Sequence, residues 1–178
     1  MHLMVWGRYA SMYWMHLDVP ADTTLTTLDR FLRDTWLECC GHLSAFRIAG
    51  DSYVSYGDSI YGLDDRSMRG VKIGEVLQVG DQCTHAYDFG TTTELSLRVI
   101  AEREGRIGSA PVAVLARNEP PHIPCDLCGQ EATQICTQCL YEGAGWFCDA
   151  CAKAHACDEE MFLPVVNSPR VGMCGYTG

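Results

Sequence analysis

Three Cys-x2-Cys pairs and a closing His-x-Cys crowd into one short stretch near the C-terminus. The pairs are Cys125/Cys128, Cys136/Cys139 and Cys148/Cys151, and His155 and Cys157 close the block. Thiolate sulfur and imidazole nitrogen are the donors zinc prefers, and eight of them fill two tetrahedral shells. A single Cys-x2-Cys is compatible with redox chemistry. Three at short, regular gaps predict metal knuckles instead.

The gaps between pairs are seven and eight residues. Neighbouring pairs could share an ion. The other arrangement is the interleaved cross-brace of RING-like, MYND-like and B-box-like fingers, in which pairs one and three share it. In that scheme, the expected one, Cys125, Cys128, Cys148 and Cys151 hold one zinc, and Cys136, Cys139, His155 and Cys157 hold a second. Cys174, in Gly172-Met173-Cys174-Gly175, competes for the last place in the second shell. Two filled shells make structural sites, because a catalytic zinc keeps one position open for water.

A second set of soft donors lies upstream: Cys39, Cys40 and His42, then Cys83 and His85. Cys83 and His85 are two apart on an expected strand, so they face one side of it. They and the first three could form a third metal site; the plainer reading is a buried thiol and a hydrogen-bonded core histidine. Asp81 and Asp88 flank that strand as turn-forming carboxylates. Asp64-Asp65 and Glu159-Glu160 are expected to be solvated. The chain has no Gly-x-Ser-x-Gly elbow, no His-Glu-x2-His and no P-loop ending after its glycines. No catalytic residue is assigned.

Composition bounds the setting. The 178 residues are 47% hydrophobic and 10% aromatic, enough to fold. No apolar run is long enough to span a bilayer. The N-terminus alternates and lacks a basic region followed by an apolar block, so structure is expected there rather than an export signal. Eleven cysteines without such a signal suit a reducing cytoplasm. The net charge is −10, and beyond Pro124 only Lys153 and Arg170 oppose seven acids. Nucleic-acid affinity draws mainly on cations. A finger this acidic is expected to contact protein rather than nucleic acid, and no membrane partner is expected.

The elements that position these donors follow from pattern. Residues 3–9 and 12–19 alternate and predict a hairpin turning at Ala10-Ser11. Asp22 or Thr24 caps a helix expected to reach Leu37, with Leu25, Leu28, Phe31, Leu32, Thr35 and Trp36 as its buried stripe and Gly41 as its stop. Strands are expected at 43–49, 53–56, 82–89, 94–102 and 112–117, a loop at 57–70 and a helical turn at 73–77. The fold class is α+β: a mixed or antiparallel sheet with one main packed helix, in ubiquitin-like order. Three prolines in the segment 118–124 make a stiff connector. Domains are therefore expected at 1–117 and 125–178, the second being a small cross-brace zinc finger with a folded-back tail.

The strings WMHLDVPADTTLTTLDRFLRDTWLECCGHLSAF, VGDQCTHAYDFG and LPVVNSPRVGMCGYTG resemble the plasmid pRiA4b ORF-3-like family. The resemblance to the family domain covers residues 3–117, and the cysteine-rich tail resembles that of a subset of members. Some members carry a resolvase-like name as passengers of bacterial insertion sequences. The resemblance implies an α+β domain, a link to mobile elements and inward-pointing Cys83 and His85. In the family pattern an acidic residue and Trp follow Tyr-Asp-Phe-Gly; here Thr91-Thr92-Thr93 follow Tyr87-Asp88-Phe89-Gly90. The expected function is a zinc-binding adaptor for another protein. The alternatives are an accessory factor in DNA transposition or recombination, and a metal-dependent enzyme centred on His42, Cys83 and His85.

Overall fold

The structure, a computed structural model, describes residues 1–55, 65–105 and 110–178. Asp64 and most of the loop expected at 57–70 lie outside the described residues. The chain divides into two compact units, Met1–Asn118 and Glu119–Gly178.

The first unit is built on a sheet that, among the described residues, has eight strands. They are β1 (His2–Gly7), β2 (Ala10–Asp18), β3 (Ser44–Ile48), β4 (Asp51–Val54), β5 (Asp65–Ser67), β6 (Gln82–Tyr87), β7 (Thr93–Ala101) and β8 (Ala113–Arg117). Their order across the sheet is β5-β4-β3-β6-β7-β1-β2-β8. Every pairing is antiparallel except β4 with β5. The fold is mixed α+β with a large, mostly antiparallel sheet.

Register turns the alternating pattern into a core. Cys83 lies opposite Leu97, Leu97 opposite Val5 and Val5 opposite Met15, so four strands contribute one row. Leu17, Leu3 and Val99 form the next row. All seven side chains are buried. Each Val, Leu or Met so enclosed contributes about 1.5–3 kcal/mol.

Helix α1 (Leu25–Leu32) begins where Thr24 Oγ1 accepts the Thr27 N–H at 3.2 Å. Of the two possible caps, Thr24 is the one in place, and one orphan amide of the first turn is satisfied. Leu25, Leu28, Leu32 and Trp36 are buried, whereas Phe31 and Thr35 are only half-buried. The helix does not run unbroken to Leu37. Residues Arg33–Leu37 form a π-helical turn, closed by the Glu38 N–H donating to Arg33 O at 2.9 Å. The short helix α2 (Ile73–Val76) follows the first-unit strand β5.

Two further expectations need correction. The first hairpin turns at Arg8-Tyr9, not Ala10-Ser11. The register shifts between Trp6 and Gly7, and Arg8 pairs with Glu94 on β7, its amide reaching Glu94 O at 2.9 Å. The short polar strand β5 lies where a loop was expected; its parallel main-chain pairing with β4 leaves no hydrophobic trace in the sequence.

The second unit carries a small antiparallel sheet ordered β10-β9-β11, from β9 (Gln134–Cys136), β10 (Trp146–Phe147) and β11 (Phe162–Pro164). Helix α3 (Asp149–Lys153) follows β10. Its buried cluster is Cys125, Cys136, Phe147 and Cys148.

Candidate metal centres

Each Cys-x2-Cys pair sits on a tight backbone turn. At the first, the Cys125 N–H donates to Gln130 O at 2.6 Å and the Gly129 N–H returns to Cys125 O at 2.9 Å. Gly129 has φ 74, which only glycine adopts cheaply. At the second, Cys136 ends β9 and Cys139 opens a 3-10 turn (Cys139–Glu142). Gly145 closes over that turn: a Cβ there would lie 2.8 Å from Leu140 backbone atoms and 3.0 Å from Cys136 O, so no larger residue fits. At the third, Cys148 is the N-cap residue of α3 and Cys151 lies within it.

The sheet then decides which turns meet. Cys148 follows β10, and Trp146 pairs with Ile135 and Phe147 with Gln134 on β9. β11 approaches from the other side, with Phe162 opposite Cys136. His155 lies against Phe147 and Phe162, with ring centroids 4.5 and 5.7 Å away.

Two groups of four donors result. Cys125, Cys128, Cys148 and Cys151 have sulfurs all within 4.8 Å of one another, and the donor atoms of Cys136, Cys139, His155 and Cys157 meet the same limit. Cys174 is in neither group. A zinc–sulfur bond of about 2.3 Å gives a tetrahedron with sulfur edges of about 3.8 Å. Cys128 Sγ lies 3.6 Å from Cys148 Sγ, and Cys139 Sγ lies 3.7 Å from Cys157 Sγ. His155 Nε2 is 3.2 Å from Cys139 Sγ. Donor softness, number and edge length all fit, and each group could hold a metal ion.

Electrostatics favours a cation at both. Without one, thiolates this close cannot all ionise. Desolvation opposes ionisation of Cys125, but N–H groups from Cys148, Leu127 and Cys128 outweigh it and bring the thiol down to about 6. Hydrogen bonding to Cys128 and Cys148 instead pushes Cys151 up to about 12. In the second group, desolvation and then Cys157 and Cys136 push Cys139 up to about 12. A dication removes that conflict by deprotonating every thiol around it.

The upstream donors divide. Cys83 and His85 both face inward on β6. Burial and the neighbouring Asp81 charge push the Cys83 thiol up to about 12, so it stays neutral. His85 is wholly enclosed, with Nε2 2.7 Å from Asp29 Oδ1 on α1. Among the described residues neither joins a donor group with His42. The buried Asp29 went unread in the sequence, although its place one residue after Leu28 offered a trace of it.

Cys39, Cys40 and His42 do come together, their donor atoms within 4.8 Å. Two residues the sequence did not single out organise that loop. Glu38 Oε1 accepts from the Gly41 N–H at 2.6 Å and the Tyr87 hydroxyl at 2.9 Å, and Oε2 accepts from Arg33 Nε at 2.7 Å. Desolvation works against the Glu38 carboxylate, but the bonds from Gly41, Arg33 and Tyr87 hold it below its ordinary range. Burial, then the bond to Glu38, pushes the Tyr87 phenol up to about 12.

A search of curated proteins gives no match to this chain. Among solved structures it is similar to a protein of unknown function, MM3350, from Methanosarcina mazei Go1, at 18% identity and a TM-score of 0.51 over 65% of this chain and 67% of that one. That likeness speaks to the fold alone. The family model described as plasmid pRiA4b ORF-3-like protein matches residues 8–139, past Arg117 and through the second Cys-x2-Cys pair. The match takes in the capped helix, the Glu38–Tyr87 loop and most of the sheet, and the chain belongs to the plasmid pRiA4b ORF-3-like family.

Proposed function

We propose that this protein is a zinc-stapled adaptor. The family domain occupies residues 1–117, a proline-rich connector 118–124, and a double-zinc finger 125–178. Cys125, Cys128, Cys148 and Cys151 ligate one zinc, and Cys136, Cys139, His155 and Cys157 the other. The observation that carries this reading is the gathering of eight donors into two complete groups of four. Complete shells leave no position for a substrate, so the metal serves as scaffold.

A protein partner is supported by charge. Asp126, Glu131, Glu142, Asp149, Asp158, Glu159 and Glu160 are all exposed, while of the two cations Arg170 is buried and only Lys153 is exposed. Leu127 and Tyr141 are exposed on the same unit, 67% and 71%, and offer apolar contact among the acids. In the first unit several arginines are matched by carboxylates: Arg30 by Asp34, Arg33 by Asp29 and Glu38, and Arg66 by Asp51. Arg47, Arg69 and Lys72 remain exposed, so the case against DNA rests on the acidic second unit and on the net charge of −10.

The plasmid link in the family description favours a second reading, an accessory factor in transposition or recombination. Titration of a fluorescent duplex at moderate salt separates the two. The adaptor reading expects weak binding without sequence preference; submicromolar, sequence-dependent affinity overturns it in favour of the second.

A further inference from the structure

We propose that Cys39, Cys40 and His42, on the loop after the helix of the Met1–Asn118 unit, form a third site for a soft divalent cation of the zinc type. Neighbouring residues on an extended chain point to opposite sides. Bringing the donors of Cys39, Cys40 and His42 within 4.8 Å of one another therefore needs a bent, held backbone. Gly41 supplies the bend, at φ 72. The π-helical turn ahead of it ends the helix at Glu38, which is extended at φ −69 and ψ 123. Such turns recur at functional sites.

Two side chains hold the bend from outside the donor set. Tyr87 Oη accepts the N–H of Cys39 at 3.4 Å and of His42 at 3.3 Å. Glu38 accepts the Gly41 N–H and the Tyr87 hydroxyl, and Arg33 anchors Glu38 in turn. Three amides of the loop are thus fixed by a connected network, and the donor spacing is set by the fold itself. Preorganisation of this kind distinguishes a built site from cysteines that are merely near one another.

A carboxylate stands behind the histidine. Asp88 Oδ2 is 3.6 Å from His42 Nε2, and Asp88 Oδ1 accepts the N–H groups of Gly90 and Thr91 at 3.0 and 3.2 Å. Asp88 is buried and sits at φ 63, an uncommon conformation for a residue other than glycine. Carboxylates in this position orient metal-binding imidazoles. Two thiolates and one imidazole select zinc over harder cations. The loop supplies three of the four ligands, and the cation completes its shell with one further ligand.

The test is metal content by elemental analysis of the full chain, purified with reductant and zinc, with Cys39→Ser/Cys40→Ser and Tyr87→Phe beside it. Three ions per wild-type chain and two in the double variant are expected. Tyr87→Phe keeps every donor but frees the Cys39 and His42 amides, and is expected to weaken only this site, about ten- to a hundredfold in competition with a chelator. Metal content unchanged by Cys39→Ser/Cys40→Ser overturns the third site, and an unchanged content of two leaves the finger reading intact. A wild-type chain with one ion that the double variant loses would sustain this site and overturn the finger instead. An unchanged chelator competition in Tyr87→Phe would refute the organising role of the phenol.

Discussion

Replacing Cys148 with serine removes one donor from the group that also contains Cys125, Cys128 and Cys151. Ala132, Ile135, Val171 and Tyr176 are also buried in the unit, but the group itself packs on a smaller cluster. Three of the four residues in its buried cluster are themselves donors, and Phe147 is the fourth. Burying a phenylalanine contributes about 1.5–3 kcal/mol. Binding a structural zinc in a finger peptide contributes about 10–16 kcal/mol, and that free energy is folding free energy. Even a third of it exceeds the whole contribution of Phe147. Cys83→Ser is the matched control. Cys83 is 4% exposed and its thiol is pushed up to about 12, so at neutral pH it is a small buried hydrophobe. Exchanging its sulfur for a hydroxyl costs about 1–3 kcal/mol where the hydroxyl lacks a partner. Soluble yield, metal content and thermal midpoint are compared for the two variants. Cys148→Ser is expected to lose at least one equivalent of metal and the order of residues 119–178, while Cys83→Ser keeps all its metal at a lower midpoint. Full metal content in Cys148→Ser, or an equivalent lost from Cys83→Ser, would refute the reasoning.

Chelation should strip protection from amides of the Glu119–Gly178 unit before those of β1, β6 and β7, whose packing is apolar; hydrogen exchange reads this, and simultaneous loss would show a single cooperative unit. Glu38 makes a pH prediction. Its folded pKa lies below the ordinary value, so its contribution is present above the unfolded pKa of about 4.3 and is lost as pH falls through the folded value. With chelator present, the gap in thermal midpoint between the wild type and Glu38→Gln should hold from neutral pH to about 4.5 and close below it. A gap that widens with acid contradicts the bonding described for Gly41, Arg33 and Tyr87.

Much of the fold was legible because burial imposes a period. Leu95, Leu97 and Val99 alternate along β7, and Leu25, Leu28 and Leu32 repeat along α1, so both elements could be read from apolar spacing. The pairing of β1 with β7 could not, since it depends on contacts far apart in the chain. The reach of the helix to Leu37 was legible too, but not its switch to a π-helical turn over Arg33–Leu37, nor the Glu38 carboxylate that holds Gly41 and Tyr87 beyond it. Donor spacing marked the cysteine block at once. The organisers of the upstream loop left almost no trace, because a glutamate and a tyrosine forty-nine positions apart form no local pattern. The inward side of β6 follows from the strand period, but the Asp29 partner of His85 required the helix to be placed on the sheet.

The interleaving of the two donor groups is tested most directly by counting ions in paired variants, using native mass spectrometry of the full chain under reducing conditions. Cys125 and Cys151 belong to one group, whereas Cys125 and Cys139 belong to different groups. Cys125→Ser/Cys151→Ser is therefore expected to lose one ion relative to the wild type, and Cys125→Ser/Cys139→Ser to lose two. The reverse result, two ions lost from the first pair and one from the second, would mean that neighbouring knuckles share each metal, and would contradict the cross-brace.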